Sequence, residues 1–241
     1  MANTAEDMAQ FSDKVQKSID ILKKRACISR LLIALSGGKD SLCLCELVKM
    51  AEITNVKYFN MEFLPDLRIQ YELLEYACHR FNIPYEQIIK VPSEHFMKCM
   101  HNSAYTWYSQ NAKKDFPNVS RTKVFKTVAQ EYKGSVVAGV KASDSLKMRD
   151  VIRQNIGTCV YPLADWTLKD VLTFMKLRKI DIPSLTKRGC RGVGIFPEES
   201  LLFIRDNYPD DFLKIEKVFP FVRAITLKYE YFDLQRTMHI V

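Results

Sequence analysis

Hydrophobic and polar positions along the chain fall into two rhythms. Short apolar runs bounded by turn residues predict buried strands, and apolar residues spaced three and four apart predict amphipathic helices. The runs lie at residues 31–35, 56–63, 85–91, 135–140 and 160–163. The helical rhythm opens at Thr4, a natural N-cap, and continues to Lys24 with Met8, Phe11, Val15, Ile19 and Leu22 as its stripe. It returns over 42–52, over 65–81 behind Pro65, after Ser93, and over 122–132 up to Gly134. Further helices are expected from a Thr167 cap to Arg178 and over 198–207 and 210–218. Strands that alternate with helices predict right-handed crossovers and an α/β fold with a parallel sheet. The chain divides on this reading into an N-terminal helix packed on the core (1–30), a core domain (31–180), and a glycine-rich loop with a helical extension (181–241).

Two stretches keep neither rhythm. Residues 101–122 are rich in aromatics (Tyr105, Trp107, Tyr108, Phe116) with Lys113 and Lys114 among them. They read either as a lid or recognition insert or as an aromatic-packed helical hairpin over the sheet. Residues 182–197 are turn-rich, with Gly189, Gly192 and Gly194.

Composition narrows the class. An apolar content of 47% and a charged content of 27% are those of a globular protein, and no apolar run approaches the ~20 residues of a membrane span. The polar start, with Glu6, Asp7 and Asp13, lacks the order of a secretory signal, so a cytoplasmic location without membrane contact is expected. The 7 cysteines are scattered without a C-x-x-C pair, which argues against disulfides, zinc or an iron–sulfur cluster and for small buried apolar residues. The net charge of +8 suits a polyanionic ligand and permits nucleic acid, or it belongs to a solvated face.

The candidate chemistry centres on Ser36-Gly37-Gly38-Lys39-Asp40-Ser41, which joins the first strand to the following helix. A glycine turn feeding a helix N-terminus is an anion cradle: backbone N–H groups point inward and the helix end adds positive potential. Ser36 and Ser41 add hydroxyls, Lys39 a cation, and Asp40 a metal contact. The Walker A order fails, because Asp40 follows Lys39 and no glycine stands five residues before Gly38; G-x-G-x-x-G is absent too. The stretch instead resembles the S-G-G-x-D-S loop of ATP pyrophosphatases, the PP-loop.

A second cluster, Lys141-Ala142-Ser143-Asp144-Ser145-Leu146-Lys147-Met148-Arg149, follows the fourth strand and so reaches the same sheet edge. Lys141 and Arg149 could clamp phosphates or an anionic substrate and Asp144 could hold magnesium; the alternative is a solvated helix start capped by Asp144 or Ser145. A third stretch, Tyr161-Pro162-Leu163-Ala164-Asp165-Trp166-Thr167, reads as structural.

Together S-G-G-K-D-S, G-V-K-A-S-D-S-x-x-x-R and P-L-A-D-W-T-x-x-D-V resemble the phosphoadenosine phosphosulfate (PAPS) reductase family over about residues 31–219. That family includes sulfonucleotide reductases, the sulfate adenylyltransferase small subunit, DndC-like DNA sulfur-modification proteins and viral members. The resemblance implies the adenine nucleotide alpha-hydrolase fold, a Rossmann-like three-layer α/β/α sandwich on a five-stranded parallel sheet. It implies that Ser36, Gly37, Gly38, Asp40 and Ser41 hold phosphates, and that Gly139, Lys141, Asp144 and Arg149 form the second anion-binding motif. The family usually carries Arg at Lys141, Glu at Asp144, and Asp-Thr where this chain has Asn60-Met61. The reductases' C-terminal E-C-G-L-H thiol has no counterpart, since no cysteine follows Cys190.

The expected activity is cleavage of ATP between the alpha and beta phosphates, adenylating an acidic acceptor with release of pyrophosphate. Lys39 would hold the leaving group, Lys141 and Arg149 the acceptor or phosphates, and magnesium would sit near Asp40 with Asp144; Lys187, Arg188 and Arg191 would add positive field. Two alternatives stand beside it. One is a PAPS or APS reductase acting through a different thiol, Cys190 being the best placed. The other is a nucleotide-binding partner subunit in nucleic-acid modification. A small-molecule or nucleic-acid acceptor and a homo-oligomer both fit the sequence.

Overall fold

The computed structural model describes residues 5–101, 120–154, 159–183, 187, 193–195 and 198–238. In chain order these form α1 (Ala5–Ala26), β1 (Leu31–Ala34), α2 (Lys39–Met50), β2 (Val56–Glu62), α3 (Arg68–Phe81), β3 (Ile89–Pro92) and α4 (Glu94–His101). There follow α5 (Arg121–Glu131), β4 (Ser135–Val137), α6 (Leu146–Gln154), β5 (Cys159–Val160), α7 (Leu168–Leu177), α8 (Glu198–Asn207), α9 (Pro209–Val218) and α10 (Val222–Met238). The aromatic insert and most of the glycine-rich stretch, including Cys190 and Arg191, lie outside the described residues.

The five strands form one parallel sheet in the order β3-β2-β1-β4-β5. Register sorts the side chains onto two faces, because neighbours along a strand point opposite ways. Ile33 pairs with Tyr58 and Val137, and Val137 with Val160. This face packs against Leu22 of α1, Leu44 and Leu47 of α2, Leu74 and Ala77 of α3, and Phe174 of α7. The other face carries Leu32, Val136 and Phe59, and Phe59 meets Phe125 of α5 edge-on at 5.9 Å. Helices thus cover both faces, as parallel sheets require, and the fold is the expected α/β/α sandwich of the adenine nucleotide alpha-hydrolase type.

The starts of the third strand and of the helix behind Pro65 differ from the sequence reading. The third strand begins late because Tyr85–Gln87 closes a single 3-10 turn, with Ile88 N–H donating to the Tyr85 carbonyl at 3.1 Å. The helix expected behind Pro65 begins only at Arg68, because Asp66 sits at φ 58, where a right-handed helix cannot start. The 160–163 run is strand only at its first residue; Ala164 N–H and Trp166 N–H then bond back to Tyr161 and Leu163 carbonyls as turns.

The chain forms two compact units. The first comprises Met1–Met61, Leu73–Val91 and Thr122–Pro183 and contains the sheet. The second comprises Glu62–Glu72, Pro92–Arg121 and Ser184–Val241. Its core gathers Phe63, Phe96 and Phe221 around Phe219, with ring centroids 5.7–6.2 Å apart. Buried Asp211 of α9 accepts the backbone N–H groups of Arg68 and Ile69 at 2.9 and 2.8 Å, and Tyr208 donates to Glu72 at 2.7 Å. No helix among the described residues is long and apolar enough to cross a membrane.

Candidate active site

Strand order explains why the two motifs meet. From β1 the chain runs outward through β2 to β3, then returns to place β4 on the other side of β1. In open parallel sheets the ligand crevice lies at that reversal, beyond the strand C-termini. The loops leaving β1 and β4 flank it.

The 36–41 turn is locked by its own polar atoms. Ser36 N–H and Oγ both donate to Ser41 Oγ at 3.3 Å, and Ser41 Oγ donates to the Gly38 carbonyl at 2.9 Å. Gly38 N–H donates to Ser36 Oγ at 3.3 Å. Gly37 takes φ 71, and a Cβ there would lie 2.5 Å from the Leu73 carbonyl oxygen, so α3 closes the space a side chain would need. Gly38 is the N-cap of α2 and contributes no capping side chain, which leaves the first-turn N–H groups facing the crevice. Those amides are the elements of a phosphate cradle.

The opposite wall brings in Gly139, Lys141 and Asp144. A Cβ on Gly139 would stand 3.0 Å from Asp40 Cβ and 3.1 Å from its carbonyl, so glycine permits the close approach of β4's loop to α2. Lys141 is a charged side chain only 1% exposed. Its Nζ donates to Asp40 Oδ1 at 2.7 Å and pairs with Asp144 Oδ1 at 3.0 Å. The second Asp40 oxygen accepts from Lys39 Nζ at 3.0 Å. Burial pulls the Lys141 ammonium down, but the charge and hydrogen bond of Asp40, and then those of Asp144, more than offset it and hold it above the ordinary lysine range.

The loop bearing Lys141 is itself pinned. Ala142 N–H donates to the Ala164 carbonyl at 2.9 Å and Ser143 Oγ to the Trp166 carbonyl at 2.9 Å. Trp166 in turn donates its indole N–H to Ser18 of α1 at 3.0 Å, and Ser18 donates to the Pro162 carbonyl at 2.7 Å. The third motif is therefore the structural brace it reads as.

Of the sequence candidates, Ser36, Gly37, Gly38, Lys39, Asp40, Ser41, Gly139, Lys141 and Asp144 converge. Arg149 does not join Lys141: it is exposed, and its Nε donates to the Ala142 carbonyl at 3.1 Å. Arg188 and Arg191 lie outside the described residues, and Lys187 is exposed in the second unit. The expected magnesium between Asp40 and Asp144 meets a different arrangement. Magnesium wants near-octahedral oxygen ligands, whereas here an ammonium fills the space between the two carboxylates and a second one faces Asp40's other oxygen. As placed, the pair does not fit a protein-held bridging ion.

Sequence reasoning passed over Asn60 as a site residue. It is 4% exposed, and its Nδ2 donates to the Leu35 carbonyl at 2.7 Å, fixing the peptide that leads into Ser36. Its Oδ1 is buried without a hydrogen-bond partner among the described residues. Its place near the C-terminal end of the second strand was the available signal.

A five-stranded sheet of this order, with a glycine–serine loop between β1 and α2 and a buried lysine opposite, defines a PP-loop protein of the adenine nucleotide alpha-hydrolase type. Residues 30–200 match the phosphoadenosine phosphosulfate reductase domain, and the chain belongs to that family. No curated protein matches it. Among solved structures it is similar to the NH3-dependent NAD synthetase from Campylobacter jejuni in complex with the nitrate ion, at 14% identity and a TM-score of 0.50, covering 92% of this chain and 95% of that one. It is also similar to PAPS reductase from Candida auris in its phosphate complex, at 13% identity and a TM-score of 0.51, covering 80% and 96%. The U34-tRNA thiolase NcsA from Methanococcus maripaludis, with its [4Fe-4S] cluster, matches at 16% identity and a TM-score of 0.45 over 90% and 78%.

Proposed function

We propose that this protein is an enzyme that binds ATP at the 36–41 loop and cleaves it between the alpha and beta phosphates, transferring the adenylyl group to an acidic oxygen. The carrying observation is the convergence of the uncapped α2 N-terminus, Lys39 and Lys141 at the sheet's reversal point. The loop amides and Lys39 hold the leaving pyrophosphate, so catalysis rests on positioning and charge neutralisation. The folds shared with an NAD synthetase and a PAPS reductase support an enzymatic reading. Reduction is disfavoured by the thiols. Burial pushes Cys43, Cys45, Cys78 and Cys159 up, and Cys99 to about 12, so none of these is poised as a thiolate. The remaining thiols are Cys27, which is exposed and lies in the turn before β1, and Cys190. The acceptor is an acidic small molecule or a nucleic acid, met in the cytoplasm, and a homo-oligomeric assembly belongs to the same reading.

The test is pyrophosphate release from MgATP with a panel of carboxylate, sulfate and RNA acceptors. Acceptor-dependent pyrophosphate, abolished in Lys39→Ala, is expected. ATP that binds but is never split between alpha and beta would overturn the reading, and thioredoxin-dependent sulfite release from PAPS would move the protein to the reductases.

A further inference from the structure

We infer that Lys141 is a resident cation that takes the place of a bridging divalent ion between Asp40 and Asp144 and holds both carboxylates in register before any ligand arrives. The inference builds on the 36–41 loop as a nucleotide site, but its test needs no nucleotide.

Three observations support it. The ammonium lies 2.7 Å from Asp40 Oδ1 and 3.0 Å from Asp144 Oδ1, the bridging position between the two carboxylates. The lysine stem is buried to 1% exposure, and its backbone N–H also donates to Asp144 Oδ2 at 3.4 Å, so the carboxylate is held from two atoms of one residue. The loop cannot easily move away. Ala142, Ser143 and Arg149 bond it to Ala164, to Trp166 and to itself, and Gly139 admits the Asp40 backbone to near-contact.

The electrostatics follow. Two carboxylates that share one ammonium at 2.7 and 3.0 Å would repel without it, and the buried ammonium in turn needs negative partners. A divalent ion could supply it but would have to be gathered from solution. Lys141 supplies one positive charge as part of the chain. With Lys39 also paired to Asp40, the two lysines and two aspartates cancel. A free divalent ion therefore meets carboxylates already neutralised, and it gains affinity only when phosphate oxygens join it. Lys141 is a positioning residue: it acts on the ligand through the Asp40 carboxylate that it orients.

Mn2+ binding to the nucleotide-free protein, read by electron paramagnetic resonance, tests this. The wild type is expected to show no site that depends on Asp144. Lys141→Ala removes the ammonium and opens its space, and it should gain such a site with affinity at least about tenfold above wild type, since a unit charge a few ångström away is worth kilocalories per mole. Lys141→Ala combined with Asp144→Asn should lose it again. A folded Lys141→Ala protein that gains no Mn2+ site would overturn the inference. If Lys141→Ala does not fold, the wild type decides. A Mn2+ site in the nucleotide-free wild type that Asp144→Asn abolishes would overturn the inference, and a slowly exchanging lysine ammonium resonance that Asp40→Asn releases would uphold it. ATP cleavage is not among these readouts, so a failed reaction assay and a failed resident-cation assay remain distinct outcomes.

Discussion

Gly37 shows how much one backbone conformation can decide. Its left-handed φ costs a residue with a side chain about 1–3 kcal/mol, and the Leu73 carbonyl 2.5 Å from the missing Cβ adds a collision. Gly37→Ala should lower the thermal midpoint and abolish phosphate binding measured by calorimetry; retention of both would show that the loop is not held as described. Lys141 acts on pH in a known direction. Its folded pKa is raised, so the stability it contributes is present below the unfolded lysine value and is lost as pH climbs through the folded one. The Ser36–Ser41 loop was legible in the sequence because its signal is local: six residues in register after an apolar strand. The Lys141–Asp40 pair was not, because the partners stand 101 residues apart and only the sheet order brings them together. The bond of Arg149 to Ala142 was not legible for the same reason: a basic residue near a motif says nothing about which carbonyl its guanidinium will meet.

Element by element, caps with their own sequence signature were the most readable. Thr167 begins α7 with a reciprocal box: its hydroxyl accepts from Asp170 N–H at 3.2 Å, and its own N–H donates to the Asp170 carboxylate at 2.7 Å. Lys14 of α1 adds an ion pair to that carboxylate at 2.8 Å. Burial pushes the Asp170 carboxyl up, but Lys14 and the two Thr167 bonds outweigh it, and the net shift is downward. A depressed carboxylate contributes stability above its unfolded pKa and loses it as pH falls through the folded value. Acid unfolding should therefore start at higher pH in wild type than in Asp170→Asn relative to each protein's neutral stability, and circular dichroism across pH 2 to 5, about the carboxylate range, would detect it. Equal pH profiles would remove Asp170 from the account. Strand ends were less readable. The 135–140 run is small and, after Ser135, without a polar side chain, yet ladder pairing ends at Val137, because the chain must turn there to present Gly139 and Lys141.

At the scale of the molecule, the alternation of strands and helices predicted the first unit well, since periodicity reports burial directly. The second unit was hidden because it is assembled from three separated stretches. Asp211, 143 residues from Arg68, caps the start of α3 from another helix, and Leu67, directly before Arg68, has no capping group to be read. Asp211→Ala would leave the buried Ile69 N–H and the part-buried Arg68 N–H unmet, at a cost of about 1–3 kcal/mol. The expected result is a lower unfolding temperature with unaltered phosphate binding at the 36–41 loop; loss of binding would contradict it.

The hydrogen bonds around Trp166 carry an experimental consequence. The indole is 1% exposed, it donates to Ser18, and the backbone carbonyl of the same residue receives Ser143 from the loop that bears Lys141. The chain has 2 tryptophans, the other being Trp107. A Trp107→Phe protein would thus emit from a single buried fluorophore wired to the ligand loop, with a blue-shifted maximum. Titrating ATP into it should change the emission intensity of Trp166 and report occupancy in real time, without label or coupled enzyme. An emission that stays constant while calorimetry shows binding would mean that the brace does not transmit the event.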